Sequence, residues 1–229
     1  MDAPNDVRLL RRVTLAAPLL ALLPACVAPP DEAGAARIQG DVHFLDGHPA
    51  RGADGRLNVV IEVPAGTLAK WEVDAESGVL EWEMKDGARR VVQFLAYPGN
   101  YGMVPSTLHS KESGGDDDPL DVIVLGASMA RGALVPVTPI GVLGMLDGGE
   151  LDQKIVAVAS DTPFEGVTSI EELDERFPGA TKILATWFAS YKGPGKTALT
   201  GFNGPEKAAE LIEETMSDHA ARKTTDRGR

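Results

Sequence analysis

Apolar and polar positions along the chain change period part-way through. Between residues 57 and 159 the apolar residues come in short, β-branched runs, at 57–63, 69–73, 78–84, 90–95, 120–125, 133–146 and 154–159. Turn residues separate these runs at short intervals, which predicts β-strands in a barrel or a sandwich. From Ser169 the period lengthens. Ser169-Ile170-Glu171-Glu172 is a capping box that opens a short helix. Ile183, Leu184, Trp187, Phe188 and Tyr191 recur at helical spacing and give one apolar face, which Gly193 ends. Asn203-Gly204-Pro205 opens another helix through Ala208, Leu211 and Ile212. The tail after Ala220, residues 221–229, is polar and reads as frayed. The expected architecture is mainly β with α: a small barrel with C-terminal helices packed outside it.

The first residues follow a different logic. Arg8, Arg11 and Arg12 precede a short apolar stretch at 13–23, and Leu23-Pro24-Ala25-Cys26 follows. This is the layout of a secretory signal peptide, too short to span a bilayer stably. A small residue directly before a cysteine resembles a bacterial lipobox, in which the cysteine is acylated and becomes the mature N-terminus. The expected organisation is a signal peptide over 1–26 ending in Cys26, a flexible tether over 27–56, and one domain over 57–220. Cys26 is the single cysteine, so no intramolecular disulfide can form. An exported lipoprotein on the periplasmic face of a bacterial membrane is expected, the outer membrane favoured because Val27 is not an aspartate. The lipid would be its only membrane contact.

The formal net charge of -12 argues against a basic face for nucleic acid. It is compatible with clustered carboxylates that attract cations, or with an acidic surface that only keeps the protein soluble. The densest signal is Asp116-Asp117-Asp118-Pro119-Leu120-Asp121-Val122. Carboxylates crowded in this way repel one another unless cations neutralise them. In an extended loop Asp116 and Asp118 would point the same way. Their oxygens are hard ligands that suit Mg²⁺, Mn²⁺ or Ca²⁺, and no cysteine or histidine stands nearby to favour zinc. A solvated acidic loop is the plain alternative. An EF-hand is excluded, because Asp121 replaces the required glycine and Ala127 the bidentate glutamate.

Other charges are individually ambiguous. Glu62 interrupts the run Val59-Val60-Ile61-Glu62-Val63; Lys70 and Glu72 flank Trp71 and so share one strand face. Asp147, Asp152 and Lys154 form a second group, and Tyr191-Lys192 ends the amphipathic helix. Gly193-Pro194-Gly195-Lys196-Thr197 looks like half a P-loop, but a helical segment precedes it where a strand is required. His43, His48, His109 and His219 have no metal-ligand spacing.

Taken in order, these groups resemble the soluble family I inorganic pyrophosphatases. The acidic segment from Asp116 to Val122 fits that family's signature at every position. Tyr97-Pro98-Gly99-Asn100-Tyr101-Gly102 is similar to its Tyr-Pro-X-Asn-Tyr-Gly segment, the stretches around Glu62 and Lys70 look like its first two strands, Asp147, Asp152 and Lys154 stand at its spacing, and Tyr191-Lys192 matches its late helix. The resemblance implies a five-stranded OB-like barrel, pyrophosphate as substrate, several Mg²⁺ ions with Mn²⁺ or Zn²⁺ as substitutes and Ca²⁺ inhibitory, and a homo-oligomer. It assigns Asp116, Asp118, Asp121, Asp147 and Asp152 to central metals and Glu62 and Glu72 to metals on the substrate side. Lys70, Arg90, Tyr97, Lys154, Tyr191 and Lys192 would contact phosphate. Asp118 would be the base for the attacking water, with Tyr101, Lys154 and Arg90 beside it in the reaction. Three positions depart from the family's pattern: Arg89 competes with Arg90, because residues 85–88 look inserted; Gly148 stands where glutamate is common; and Trp71 replaces a tyrosine. A binding lipoprotein of the same fold, and an enzyme acting on nucleoside phosphates or polyphosphates, are the rival readings.

Overall fold

The computed structural model describes residues 36–227. Its elements are β1 (Arg37–Ile38), β2 (Leu57–Val63), β3 (Trp71–Val73), β4 (Leu80–Trp82), β5 (Met84–Lys85), β6 (Ala88–Arg89), β7 (Asn100–Met103), β8 (Asp121–Leu125), β9 (Leu134–Asp147), β10 (Glu150–Leu151), β11 (Lys154–Ala159), α1 (Ile170–Arg176), α2 (Ala180–Ser190), β12 (Thr197–Asn203) and α3 (Pro205–Arg227). Strands β9, β11, β8, β7 and β2 pair in that order, and β2 pairs back onto β9, so the ring closes. This is the expected five-stranded OB-like barrel. Closure removes the unpaired edges that an open sheet of such apolar strands would expose.

Two features of the ring set up the functional site. All its pairings are antiparallel except β8 with β11, whose parallel register places Lys154 beside Asp121. β9 is 14 residues long, so it can serve β2 at its start and β12 at its end. The strands are apolar without alternation because both faces are covered. Val122 and Val124 of β8 pack in one cluster with Leu211 and Ile212 of α3, whereas Ile123 and Leu125 pack in another with Leu184, Trp187 and Phe188 of α2.

Local signals work as read at α1. Ser169 accepts a bond from the backbone N–H of Glu172, and Glu172 in return accepts from Thr168. Elsewhere the chain departs from expectation. Residues 90–95 form no strand; Val91 makes a single antiparallel bridge to Ala69, flanked by bonds from Lys70 N–H to Arg90 O and from Val92 N–H to Leu68 O. Two strands of the main sheet longer than two residues, β7 and β12, carried no apolar run to reveal them. β7 reads Asn-Tyr-Gly-Met, and β12 is interrupted by a bulge between Leu199 and Gly201. Ile183 is exposed, since it lies about 100° around the helix from Leu184.

The expected tether and tail also need correction. Within 36–56, β1 pairs with β4, and Phe44 and Leu45 are buried against Trp71 and Leu80. Two large apolar side chains suffice to dock this segment despite its polar composition. At the other end α3 continues through Arg227, held by Arg222 to Asp117 and Lys223 to Asp46. The signal-peptide reading, Cys26 and the first part of the tether lie outside the described residues. Among the described residues no helix is long and apolar enough to cross a membrane.

Candidate active site

A cavity of about 600 Å³ opens at one end of the barrel, and every candidate residue from Glu62 to Lys192 lines it. The topology explains the convergence. Asp121 and Lys154 are the first residues of two adjacent parallel strands, Asp147 ends β9, and Asp152 lies just before β11. Tyr101 stands on β7 and Glu62 on β2, while Lys70 and Glu72 come from the edge of β3. Asp116 and Asp118 belong to the loop entering β8, where Asp118 N–H closes onto the Asp116 carboxylate at 3.1 Å. Helix α2 delivers Tyr191 and Lys192 from its C-terminal end. Tyr191 stacks on Trp187 at 4.5 Å, Trp187 packs on Tyr97 at 4.4 Å, and Trp187 Nε1 donates to Leu95 O at 2.9 Å. That aromatic stack ties the helix to the barrel and fixes where its last residues point.

Lysines sit between the carboxylates. Lys154, almost fully buried, donates to both Asp121 and Asp152, and Lys192 donates to Asp147. Lys70 and Lys154 lie 5.1 and 5.7 Å from the centre of the Tyr101 ring, whose hydroxyl bonds Asp121. Nine carboxyl groups line the cavity against four cationic side chains, Lys70, Arg90, Lys154 and Lys192. The excess shows in the protonation equilibria. Burial pushes Glu62 up to about 8, against the pull of Lys70. Burial, followed by the charges of Asp116 and Asp121, pushes Asp118 up to about 6. Asp121 is partly buried as well, but Lys154 and Lys70 hold it below the usual carboxylate range. Asp152 is raised by burial that Lys154 does not fully offset. Lys154 and Lys70 stay charged, because the surrounding carboxylates outweigh their own burial.

A family model described as inorganic pyrophosphatase matches residues 59–220, which contain every group lining the cavity. The chain belongs to the inorganic pyrophosphatase family. It is 36% identical over 162 residues to the chloroplastic soluble inorganic pyrophosphatase 1 of Chlamydomonas reinhardtii, covering 66% of this chain and 58% of that one. It is 38% identical over 164 residues to the inorganic pyrophosphatase of Caulobacter vibrioides, covering 68% and 85%. The solved inorganic pyrophosphatase of Schistosoma japonicum superposes with a TM-score of 0.71 at 29% identity, over 77% of this chain and 70% of that one.

Within this member of the family the three departures acquire structural reasons. Arg90 lines the cavity, half-buried, whereas Arg89 turns outward and stacks over Trp82 at 4.8 Å. Gly148 and Gly149 have φ of 60° and 100° between paired Asp147 and Glu150, a two-residue hairpin that favours glycine at both central positions. Trp71 points to the opposite side from Lys70 and Glu72, buried against Trp82 and Arg131. The half P-loop at Gly193 runs from helix to strand, the reverse of a nucleotide-binding turn.

Three acidic residues were missed in the sequence. Asp74 and Glu150 line the cavity, and Glu83 grips Arg90 with both carboxylate oxygens, at 2.7 and 2.6 Å. Glu150 was recoverable from the Asp-Gly-Gly-Glu hairpin, which must place it across from Asp147. Asp74 and Glu83 carry no local signature. The cavity suits divalent cations by its chemistry: hard oxygen donors, a negative excess and a crowded Asp118. Among the described residues no three histidine, cysteine or carboxylate groups already converge on one point. The reason is visible in the geometry, since Lys154 and Lys192 stand between Asp121, Asp152 and Asp147.

Proposed function

We propose that this chain hydrolyses inorganic pyrophosphate to two phosphates by direct attack of water, with Mg²⁺ as its cofactor. The observation that carries the reading is a single cavity lined by both sets of groups the reaction needs: carboxylates for cations and ammonium or guanidinium groups for phosphate. A cavity with more carboxylates than cations repels a multiply charged anion, so divalent cations must enter with it. Asp116, Asp118, Asp121, Asp147 and Asp152 would hold them, with Glu62 and Glu72 nearer the substrate. When bound, Mg²⁺ offsets the charge on pyrophosphate and acidifies the attacking water. Mn²⁺ or Zn²⁺ would substitute by the family resemblance.

The chain's own groups do the rest. Asp118 accepts a proton from the attacking water. Lys70, Arg90, Lys154 and Lys192, with Tyr97 and Tyr191, bind phosphoryl oxygens and stabilise the charge that passes to the leaving phosphate. Tyr101 keeps Asp121 in place from between two ammonium groups. Phosphate release should be fast from pyrophosphate with Mg²⁺ and slow from nucleoside triphosphates or longer polyphosphates. No release from pyrophosphate at any Mg²⁺ concentration would overturn the reading.

The proposed site of action is outside the inner membrane, anchored through Cys26. Arg8, Arg11, Arg12 and the apolar stretch before the cysteine support it, and a diacylated or triacylated cysteine holds a membrane stably. Fractionation of cells should find the protein with membranes, and its Cys26→Ser variant soluble or uncleaved. Equal cytoplasmic recovery of both would refute the anchor. Self-association is proposed on the family resemblance, to be read from the mass in solution.

A further inference from the structure

The acidic segment contains one carboxylate that does not face the cavity. Asp117 has φ of 70°, in the left-handed region that aspartate tolerates better than most residues, and this turns its side chain away from Asp116 and Asp118. The outward carboxylate accepts from Lys111 N–H and from Arg222 Nη2, both at 3.1 Å. Arg222 belongs to the last turns of α3, which touch the same loop twice more. Asp218 accepts from Ser110 Oγ at 2.6 Å and from Ser113 Oγ at 2.8 Å, and Thr215 O accepts from Leu108 N–H at 2.9 Å.

Thr215, Asp218 and Arg222 are spaced three and four residues apart, so they share one face of the helix. Along that face they hold the loop from Leu108 to Asp117. Inside the loop, His109 N–H donates to Asp118 O at 2.8 Å and Asp117 N–H to His109 O at 2.9 Å. The backbone carrying the proposed base is therefore bonded to a segment that α3 grips from outside.

We propose that Arg222 and Asp218 are positioning residues for the reaction: through Asp117 and Ser110 they hold Asp116 and Asp118 in a geometry ready for divalent cations. The inference rests on the metal reading of the cavity given above. Asp116 and Asp118 repel each other, and a loop free to splay would separate them. Bracing the loop from outside keeps them together before a cation arrives, so the brace acts on metal affinity more than on the chemical step.

The test is Mg²⁺ binding to the protein by titration calorimetry, alongside the Mg²⁺ dependence of pyrophosphate hydrolysis and the melting temperature. Arg222→Ala should raise both the Mg²⁺ dissociation constant and the half-activating concentration about threefold, the scale of one exposed ion pair. Adding Asp218→Ala should bring the effect to about tenfold, as hydrogen bonds to a charged group are also lost. In both, kcat at saturating Mg²⁺ should stay within about twofold, because excess cation closes the loop by mass action. Arg222→Lys should recover most of the affinity. Unchanged Mg²⁺ affinity in folded Arg222→Ala protein would overturn the brace alone. A fall in kcat that neither excess Mg²⁺ nor Arg222→Lys repairs would also overturn it, marking this end of α3 as support for the fold. Wild-type protein that neither binds nor needs Mg²⁺ would instead overturn the metal reading and the brace with it.

Discussion

Single residues in the cavity are held against their own preferences, and Glu62 is the clearest case. It is 4% exposed and accepts the Val73 N–H at 2.8 Å, yet burial lifts its carboxyl to about 8. A carboxyl raised in the folded state gives stability that is complete below its unfolded value and is lost as pH rises through the folded one. The metal-free protein should therefore lose stability between about pH 4.5 and 8 on this account. Glu62→Gln keeps the acceptor without the charge. Its melting temperature should exceed wild type near pH 8, with the difference closing below pH 5; a gap that is constant with pH would contradict the assignment. Lys192 is predicted to act on substrate. Lys192→Ala should raise KM for pyrophosphate by about tenfold or more, the worth of a charge-assisted contact, with little effect on folding. The sequence showed these residues because their types are chemically out of place, a glutamate in an apolar strand or a lysine closing an apolar helix. It could not show that Asp117 turns outward or that Glu83 grips Arg90, since neither depends on neighbours in the chain.

Elements decide how closely those residues approach. β8, β9 and β11 were legible as long β-branched runs, and their parallel or antiparallel pairing then fixed Asp121 beside Lys154. β7 was legible only as a motif, because four buried residues with one glycine have no period to detect. Its glycine has a packing reason. A Cβ on Gly102 would stand 1.9 Å from Val60 O on β2, a backbone atom that cannot swing aside. Gly102→Ala should force β7 away from β2, cost more than about 3 kcal/mol of unfolding free energy, and displace Tyr101 next to it. Denaturant unfolding measures this, and a loss below about 1 kcal/mol would mean that the barrel seam yields more easily than its geometry suggests. The segment 90–95 taught the opposite lesson. Its apolar residues suggested a strand, but Phe94 and Leu95 are exposed and the chain there serves to carry Arg90 into the cavity.

At the scale of the whole fold, the described residues form a closed barrel with one acidic end. The segment around Phe44 and the last turns of α3 meet through Asp46, which bonds His219 at 2.9 Å and also pairs with Lys223. Composition hid this packing, because a polar stretch with few apolar anchors resembles a tether. At this scale the proposed cations would govern activity. EDTA should abolish hydrolysis and Mg²⁺ restore it, while millimolar Ca²⁺ should inhibit, since its longer bonds and looser coordination misplace the attacking water. Activity that survives thorough chelation would contradict the cofactor assignment. The most direct test of the account as a whole is the turnover of Asp118→Asn at saturating Mg²⁺ and pyrophosphate, measured beside wild type with the fold checked by circular dichroism. If this cavity is where water is activated, kcat should fall by about 10²–10⁴-fold in a protein that remains folded, the range for removing a general base; a folded variant turning over at close to the wild-type rate would contradict it.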